Sequence, residues 1–260
     1  MNLSKFLDYS RRLGENAQAD PDVIGLVLVG STADTSRVDE WSDHDFFWVV
    51  KPGAGERYRT DLSWIPDIAQ AVLWPRETEH GLKVMFEDGR VLEFAVFEDE
   101  QLELAALNAY EVSVDKSDLT ERCRVIAAKS ADQKPLEWSR EFELFLSLIL
   151  LGVGRDRRGE KLIAGQFIRS YSLNHLLALI RISQKPLPGS ESREDNLNSF
   201  RRFEMQFPAF AESIESACQL EVEAAAQALV QLASSLKELS AAENAQVAVL
   251  IQRFDWQLSL

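Results

Sequence analysis

The chain has 260 residues, with 42 acidic against 28 basic side chains and a formal net charge of −14. At 46% hydrophobic and 27% charged residues its composition is that of a folded protein, which excludes extended disorder. The length allows one or two domains, and the acid excess argues against a protein that coats DNA or RNA through clustered Lys and Arg.

Leu3, Phe6, Leu7 and Leu13 recur at helical spacing and predict a first helix ending near Gly14. The stretch Met1–Asp20 holds no apolar signal core. Val23–Gly30 reads as a strand buried on both faces, and Asp45–Val50 as a second strand closed by Lys51-Pro52-Gly53. Gly81–Phe86 and Arg90–Phe97 flank Glu87-Asp88-Gly89, a hairpin turn signal. Short β-like stretches are expected near Glu111–Val114 and Arg124–Ala127.

Beyond residue 135 the pattern becomes helical. Phe142, Phe145, Leu146 and Ile149 mark one helix, and Ile163, Phe167, Leu173, Leu176, Leu177 and Ile180 a longer one. Lys185–Asn198 reads as a loop, and Leu220–Leu239 as an Ala-rich helix in a bundle core. A boundary near Lys129–Pro135 therefore separates a mixed α/β domain, residues 1–134, from an all-helical bundle, residues 135–260. The first part carries 26 acidic and 15 basic side chains, net −11, and the second 16 and 13, net −3. Most of the acidity belongs to the α/β part.

No apolar run approaches the ~20 residues of a membrane span, so a cytoplasmic chain with no membrane partner is expected. Cys123 and Cys218 lie too far apart in sequence for a metal knuckle and read as buried thiols, with a disulfide left open.

Three features of the α/β part belong together. Gly30-Ser31 ends a buried strand, Asp43-His44-Asp45 follows after eleven intervening residues, and Glu93 interrupts an apolar run. Side chains at i and i+2 of a strand share a face, so Asp43 and Asp45 project together while His44 points away. A carboxylate among apolar residues needs a reason. If the strand of Glu93 adjoins the one begun by Asp43, three carboxylates converge, and one stays protonated unless a cation intervenes. Hard oxygen ligands with no Cys or His select Mg²⁺, completed by water and substrate phosphates. Gly30, lacking a Cβ, lets a phosphate approach the backbone, and Ser31 offers it hydroxyl and amide donors. The pattern predicts metal-assisted phosphoryl or nucleotidyl transfer.

The run LVLVGSTADTSRVDEWSDHDFFWVV resembles the signature of the nucleotidyltransferase superfamily, and RVLEFAVF resembles its third-carboxylate strand in the form seen in aminoglycoside and lincosamide nucleotidyltransferases. The resemblance covers roughly residues 20–100, while the helical half agrees only in layout. It implies a nucleotidyltransferase-type mixed sheet flanked by helices and one or two Mg²⁺ held by Asp43, Asp45 and Glu93, with Glu93 as metal ligand, general base or both. It further implies transfer of AMP from ATP, or of another nucleoside monophosphate, to a hydroxyl of a small molecule. The acidity of the first domain points to a cationic acceptor such as an aminoglycoside, and hence to antibiotic resistance. Many members carry Arg just after Gly-Ser, where this chain has Thr32-Ala33. The basic cluster Arg155, Arg157, Arg158 and Lys161 is the candidate substitute, with Lys161 first and Arg158 second as expected phosphate ligands.

Bland alternatives exist for each feature. The basic cluster also suits a solvated helix start or an ion-pair surface. His44, His80 and His175 read as packing or surface residues, and Trp41, Trp48, Trp64 and Trp74 as core or cleft wall. Two other functions compete: nucleotidylation of a protein or RNA partner, disfavoured by length and charge, and a nucleotide-binding regulatory module without catalysis. The resemblance allows a homodimer, although no interface signature is legible.

Overall fold

The apolar run after Pro21 becomes an interior strand of a six-stranded sheet, one place in from its edge. The computed structural model describes residues 3–132, 135–190 and 195–258. Residues 133–134 of the expected boundary and 191–194 of the expected loop lie outside them. The chain divides into two compact units, Met1–Gln133 and Lys134–Leu260.

In the first unit the elements run α1 (Leu3–Ala19), β1 (Val23–Val29), α2 (Gly30–Ala33), β2 (His44–Val50), α3 (Gly55–Thr60), β3 (Ala71–Leu73), β4 (Gly81–Phe86), β5 (Val91–Glu98), β6 (Tyr110–Asp115) and α4 (Leu119–Ala131). The strand order is β3-β4-β5-β2-β1-β6. Every neighbouring pair is antiparallel except β2 and β5, which run parallel in continuous register from His44↔Leu92 to Val50↔Glu98.

The strand period of two sorts the side chains onto two faces. On one, Phe46, Trp48, Val50, Leu92, Phe94 and Val96 pack under Tyr9, Leu13 and Ala17 of α1. Trp48 is fully buried and stacks on Trp64 at 4.1 Å between ring centroids. On the other face Val27, Val49 and Phe97 meet Leu119, Cys123 and Ile126 of α4. Both faces of β1 and β2 are thus covered, as their near-continuous apolar sequence requires. Trp41 and Trp74 are exposed, so neither belongs to the core.

Three sequence expectations are corrected. The first helix passes through Gly14 and ends at Ala19, because the stripe Phe6, Tyr9, Leu13, Ala17 goes on burying one turn beyond the glycine. An interior glycine costs about 0.5–1 kcal/mol against alanine and does not by itself stop a helix. Arg124–Ala127 is helical, not β-like: Leu119, Cys123 and Ile126 repeat at helical spacing on one buried face. The long helix expected over Ile163–Ile180 is divided, and a π-helical turn at Phe167–Tyr171 separates α6 (Lys161–Gln166) from α7 (Ser172–Ser183).

The second unit begins with α5 (Trp138–Arg157), followed by α6, α7, α8 (Phe203–Gln206), α9 (Pro208–Cys218), α10 (Val222–Ser235) and α11 (Ala241–Phe254). Its core joins Phe142, Phe145 and Ile149 to Leu176, Ile180, Leu229, Val230 and Val247. A Cβ on Gly152 of α5 would lie 2.5 Å from Ile168 Cδ1, so that glycine is what lets the π-helical turn pack closely. Cys123 and Cys218 are free thiols. Among the described residues no helix is long and apolar enough to cross a membrane.

Glu243 locks the start of α11. Its carboxylate accepts from Trp138 Nε1 at 2.6 Å, Lys237 Nζ at 3.0 Å and the Ser240 backbone N–H at 2.7 Å, within a capping box with Ser240. Burial alone would raise this carboxyl, but the Ser240, Lys237 and Trp138 donors outweigh it and hold it down at about 2. A carboxyl with a depressed folded value stabilises the fold above its ordinary value of 4.5 and loses that contribution as the pH falls towards 2. Glu243→Gln is therefore expected to cost about 2–3 kcal/mol at neutral pH and to flatten acid unfolding of the helical unit between those limits. Thermal melts of both chains across that range check it.

Candidate active site

The parallel pairing of β2 with β5 creates the site. It sets Asp45 directly beside Glu93, and both occupy the face opposite α1, since His44 and Phe46 flank Asp45 on the α1 face. Asp43 precedes β2 by one residue and completes a group of three. Asp43, Asp45 and Glu93 each offer a carboxylate oxygen within 4.8 Å of the others. Asp43 and Asp45 are half-buried, and Glu93 is exposed.

His44 takes no part in this group. It is fully buried and stacks on Phe6 with ring centroids 3.8 Å apart, its Nε2 lying 3.1 Å from the Phe6 carbonyl. Burial pushes its imidazole down to about 4, so the ring is neutral at pH 7. It pins the start of β2 to α1 and turns its two acidic neighbours the other way.

Gly30 lies at the end of β1 with φ +59°, a left-handed conformation that favours glycine. A Cβ there would sit 3.0 Å from Asp45 Oδ2, so the missing side chain leaves the carboxylate its room. The Gly30 N–H donates to the Ala109 carbonyl at 3.0 Å. Ser31 follows within α2, half-buried.

Two side chains that the sequence reading passed over hold this turn in place. Thr32, buried, accepts the Asp45 backbone N–H on Oγ1 at 2.8 Å and so ties the turn to β2. Arg37 Nη2 donates to the Gly30 carbonyl at 2.8 Å, and its Nε lies 2.8 Å from Asp34 Oδ2. Arg37 is the sole basic residue between Val23 and Val50, and that was the available signal.

Lys83 was also missed. It lies opposite Glu93 on β4, with Nζ 3.7 Å from Glu93 Oε2 and 3.0 Å from Glu77 Oε1. The hydrogen bond to Glu77, followed by the charge of Glu93, raises the Lys83 ammonium above the ordinary lysine value. A cation among these acids is what three converging carboxylates called for. Counting outward from Asp88, the centre of the turn, puts residues 83 and 93 at equal distance, so the sequence held this pairing.

The basic cluster lies in the second unit, and each of its members has an acidic partner there. Arg155 meets Glu160 at 2.7 Å and Lys161 meets Asp156 at 2.9 Å. Arg158 donates to the Gly154 carbonyl at 3.2 Å and lies 3.7 Å from Glu160. Arg157 binds Glu223 and the Phe254 carbonyl, fastening the end of α5 to α10 and α11. The side chains of Arg158 and Lys161 remain 59% and 66% exposed, which leaves their charge accessible.

The three carboxylates suit a hard divalent cation. They are oxygen donors without sulfur or imidazole, close enough to share one ion, and backed by a glycine whose Cβ would crowd Asp45.

No family model matches the sequence, and no curated protein does. Several solved structures are similar to the chain. An aminoglycoside 6-adenyltransferase from Bacillus subtilis matches at 13% identity and a TM-score of 0.40, over 99% of this chain and 100% of that one. A nucleotidyltransferase-like protein from Exiguobacterium sibiricum 255-15 matches at 12% identity and 0.36, over 96% and 80%. CdnC of E. coli MS115-1, in a complex with HORMA-deltaN, matches at 13% identity and 0.34, over 99% and 92%. These likenesses are loose, and the chemistry has to be read from the side chains.

Proposed function

We propose that the chain is a divalent-metal-dependent nucleotidyltransferase that moves a nucleoside monophosphate, AMP from ATP foremost, onto a hydroxyl of a small cationic acceptor such as an aminoglycoside. One observation carries the proposal: Asp45 and Glu93, fixed side by side by parallel strand pairing, meet Asp43 behind the Gly30-Ser31 turn.

In this reading residues 1–134 form the catalytic domain and residues 135–260 the helical domain that binds substrate and nucleotide. Asp43, Asp45 and Glu93 hold one or two Mg²⁺. When bound, the metal supplies charge neutralisation for the triphosphate and for the pyrophosphate leaving group. The chain's own residues do the rest. Gly30 keeps the approach to Asp45 open, and Ser31 presents its hydroxyl and amide to a phosphate oxygen. Thr32 and Arg37 keep that turn from moving relative to the carboxylates. Glu93 is the most exposed of the three acids, so it is the one placed to take the proton of an incoming hydroxyl. Lys161 and Arg158, exposed at their charged ends, serve as phosphate ligands, whereas Arg155 and Arg157 hold the helical unit together. The net −11 of the first 134 residues draws a polyamine towards the site.

Incubation of the protein with ATP, Mg²⁺ and a panel of aminoglycosides is expected to give one product whose mass exceeds its acceptor by one adenylyl group. Absence of any adduct across the panel, with other nucleotides and lincosamides included, would sink the small-molecule reading. A label appearing on the protein itself or on added RNA would redirect it.

A further inference from the structure

Lys83, Glu93 and Asp45 form one row across β4, β5 and β2, because the strand pairings place each directly beside the next. Lys83 has no part in the transfer as proposed, yet its charge lies next to the carboxylates. Its Nζ is 3.7 Å from Glu93 Oε2 on one side and 3.0 Å from Glu77 Oε1 on the other. Its side chain is 36% exposed, and the four-carbon stem can carry the ammonium between the two acids by small torsional changes.

An ammonium beside Glu93 competes with any ion shared by Asp43, Asp45 and Glu93. An ammonium withdrawn to Glu77 competes less, because Coulomb repulsion falls with distance. We propose that Lys83 is a movable counter-ion of Glu93, parked by Glu77, and that this pair sets how tightly the three carboxylates hold a divalent cation. The inference rests on the reading of those carboxylates as a metal site. It makes the empty-handed site a weak binder of free metal, one that takes its cation together with a triphosphate whose negative charge outweighs the ammonium.

Opposite effects follow from the two partners. Lys83→Met keeps the stem and removes the charge, and is expected to tighten Mn²⁺ binding about fivefold in the absence of nucleotide. Glu77→Gln removes the parking place, commits Lys83 to Glu93, and is expected to weaken binding about two- to threefold. In the Lys83→Met background Glu77→Gln is expected to change nothing more, since no ammonium remains to be parked.

The experiment is a titration of Mn²⁺ into the full chain, with free ion read from its electron paramagnetic resonance signal. Asp45→Asn serves as the reference, and circular dichroism checks that each variant is folded. The proposal is overturned if Lys83→Met binds no tighter than the natural chain, or if Glu77→Gln fails to weaken binding. An equal effect of Glu77→Gln with and without Lys83 also overturns it, by reducing the pair to bulk charge. If the natural chain binds no more Mn²⁺ than Asp45→Asn, the metal site itself is wrong and both readings fall.

Discussion

Asp45→Asn is expected to lower adenylyl transfer by at least 10²–10³-fold, on the order of the loss from one preorganised electrostatic group, while the fold persists. The fold should survive because what the backbone uses at this position is the Asp45 N–H to Thr32 and the strand pairing to Val29 and Glu93, none of which the substitution removes. What disappears is the response to metal. A ligand at a hundredfold its dissociation constant stabilises the native state by about 2.7 kcal/mol, which raises a melting temperature by several degrees. Melting the natural chain with Mg²⁺ and a non-transferable ATP analogue, and then with the analogue and a chelator, should show that rise in the first unit. Asp45→Asn should melt at the same temperature in both. A variant that loses transfer but keeps the metal-dependent rise would remove Asp45 from the metal site and leave it some other task.

Gly30→Ala is expected to reduce transfer about a hundredfold, the scale at which a misplacement near 1 Å acts, and to cost about 1–2 kcal/mol of stability. Two separate faults combine in it. The backbone at φ +59° is strained for any L side chain, and the new methyl would stand 3.0 Å from Asp45 Oδ2. Gly89 separates them. It has φ +82° in the β4–β5 turn, and a Cβ there meets nothing within 4 Å. Gly89→Ala should therefore lose comparable stability and keep transfer. Equal loss of transfer in both alanine variants would mean that strain, and not the clash with Asp45, governs the site.

The carboxylate site was legible because each part of it has a strand reason. Period two placed Asp43 and Asp45 on one side and His44 on the other, and a lone acid in RVLEFAVF marked Glu93. That the two strands are neighbours is a long-range fact with no local signature, implied only by the resemblance, and their parallel direction had no signal in the sequence at all. Thr32 and Arg37 were harder to see, because both act through backbone groups, an N–H and a carbonyl, which any sequence possesses. Arg124–Ala127 misled for a different reason. Val125 and Ile126 are β-branched, but the stripe that decides the element starts earlier, at Leu119 and Cys123, outside the short window that looked like a strand. The π-helical turn at Phe167–Tyr171 is invisible in periodicity, and its packing depends on a long-range contact, the close approach of Ile168 to Gly152.

His44 carries the least chemistry of the residues between Ser42 and Phe46, and its burial against Phe6 has a mechanical side. Phe6 belongs to the opening turn of α1, so the underside of the acidic loop is bolted to that turn. Anything that unwinds that turn, such as a fused partner pulling on it or proteolytic trimming to residue 6, would loosen Asp43 and Asp45 without touching them. Loss of activity after N-terminal tagging would then report a slackened foundation and not a blocked entrance. Moving the tag to the other end of the chain should restore it.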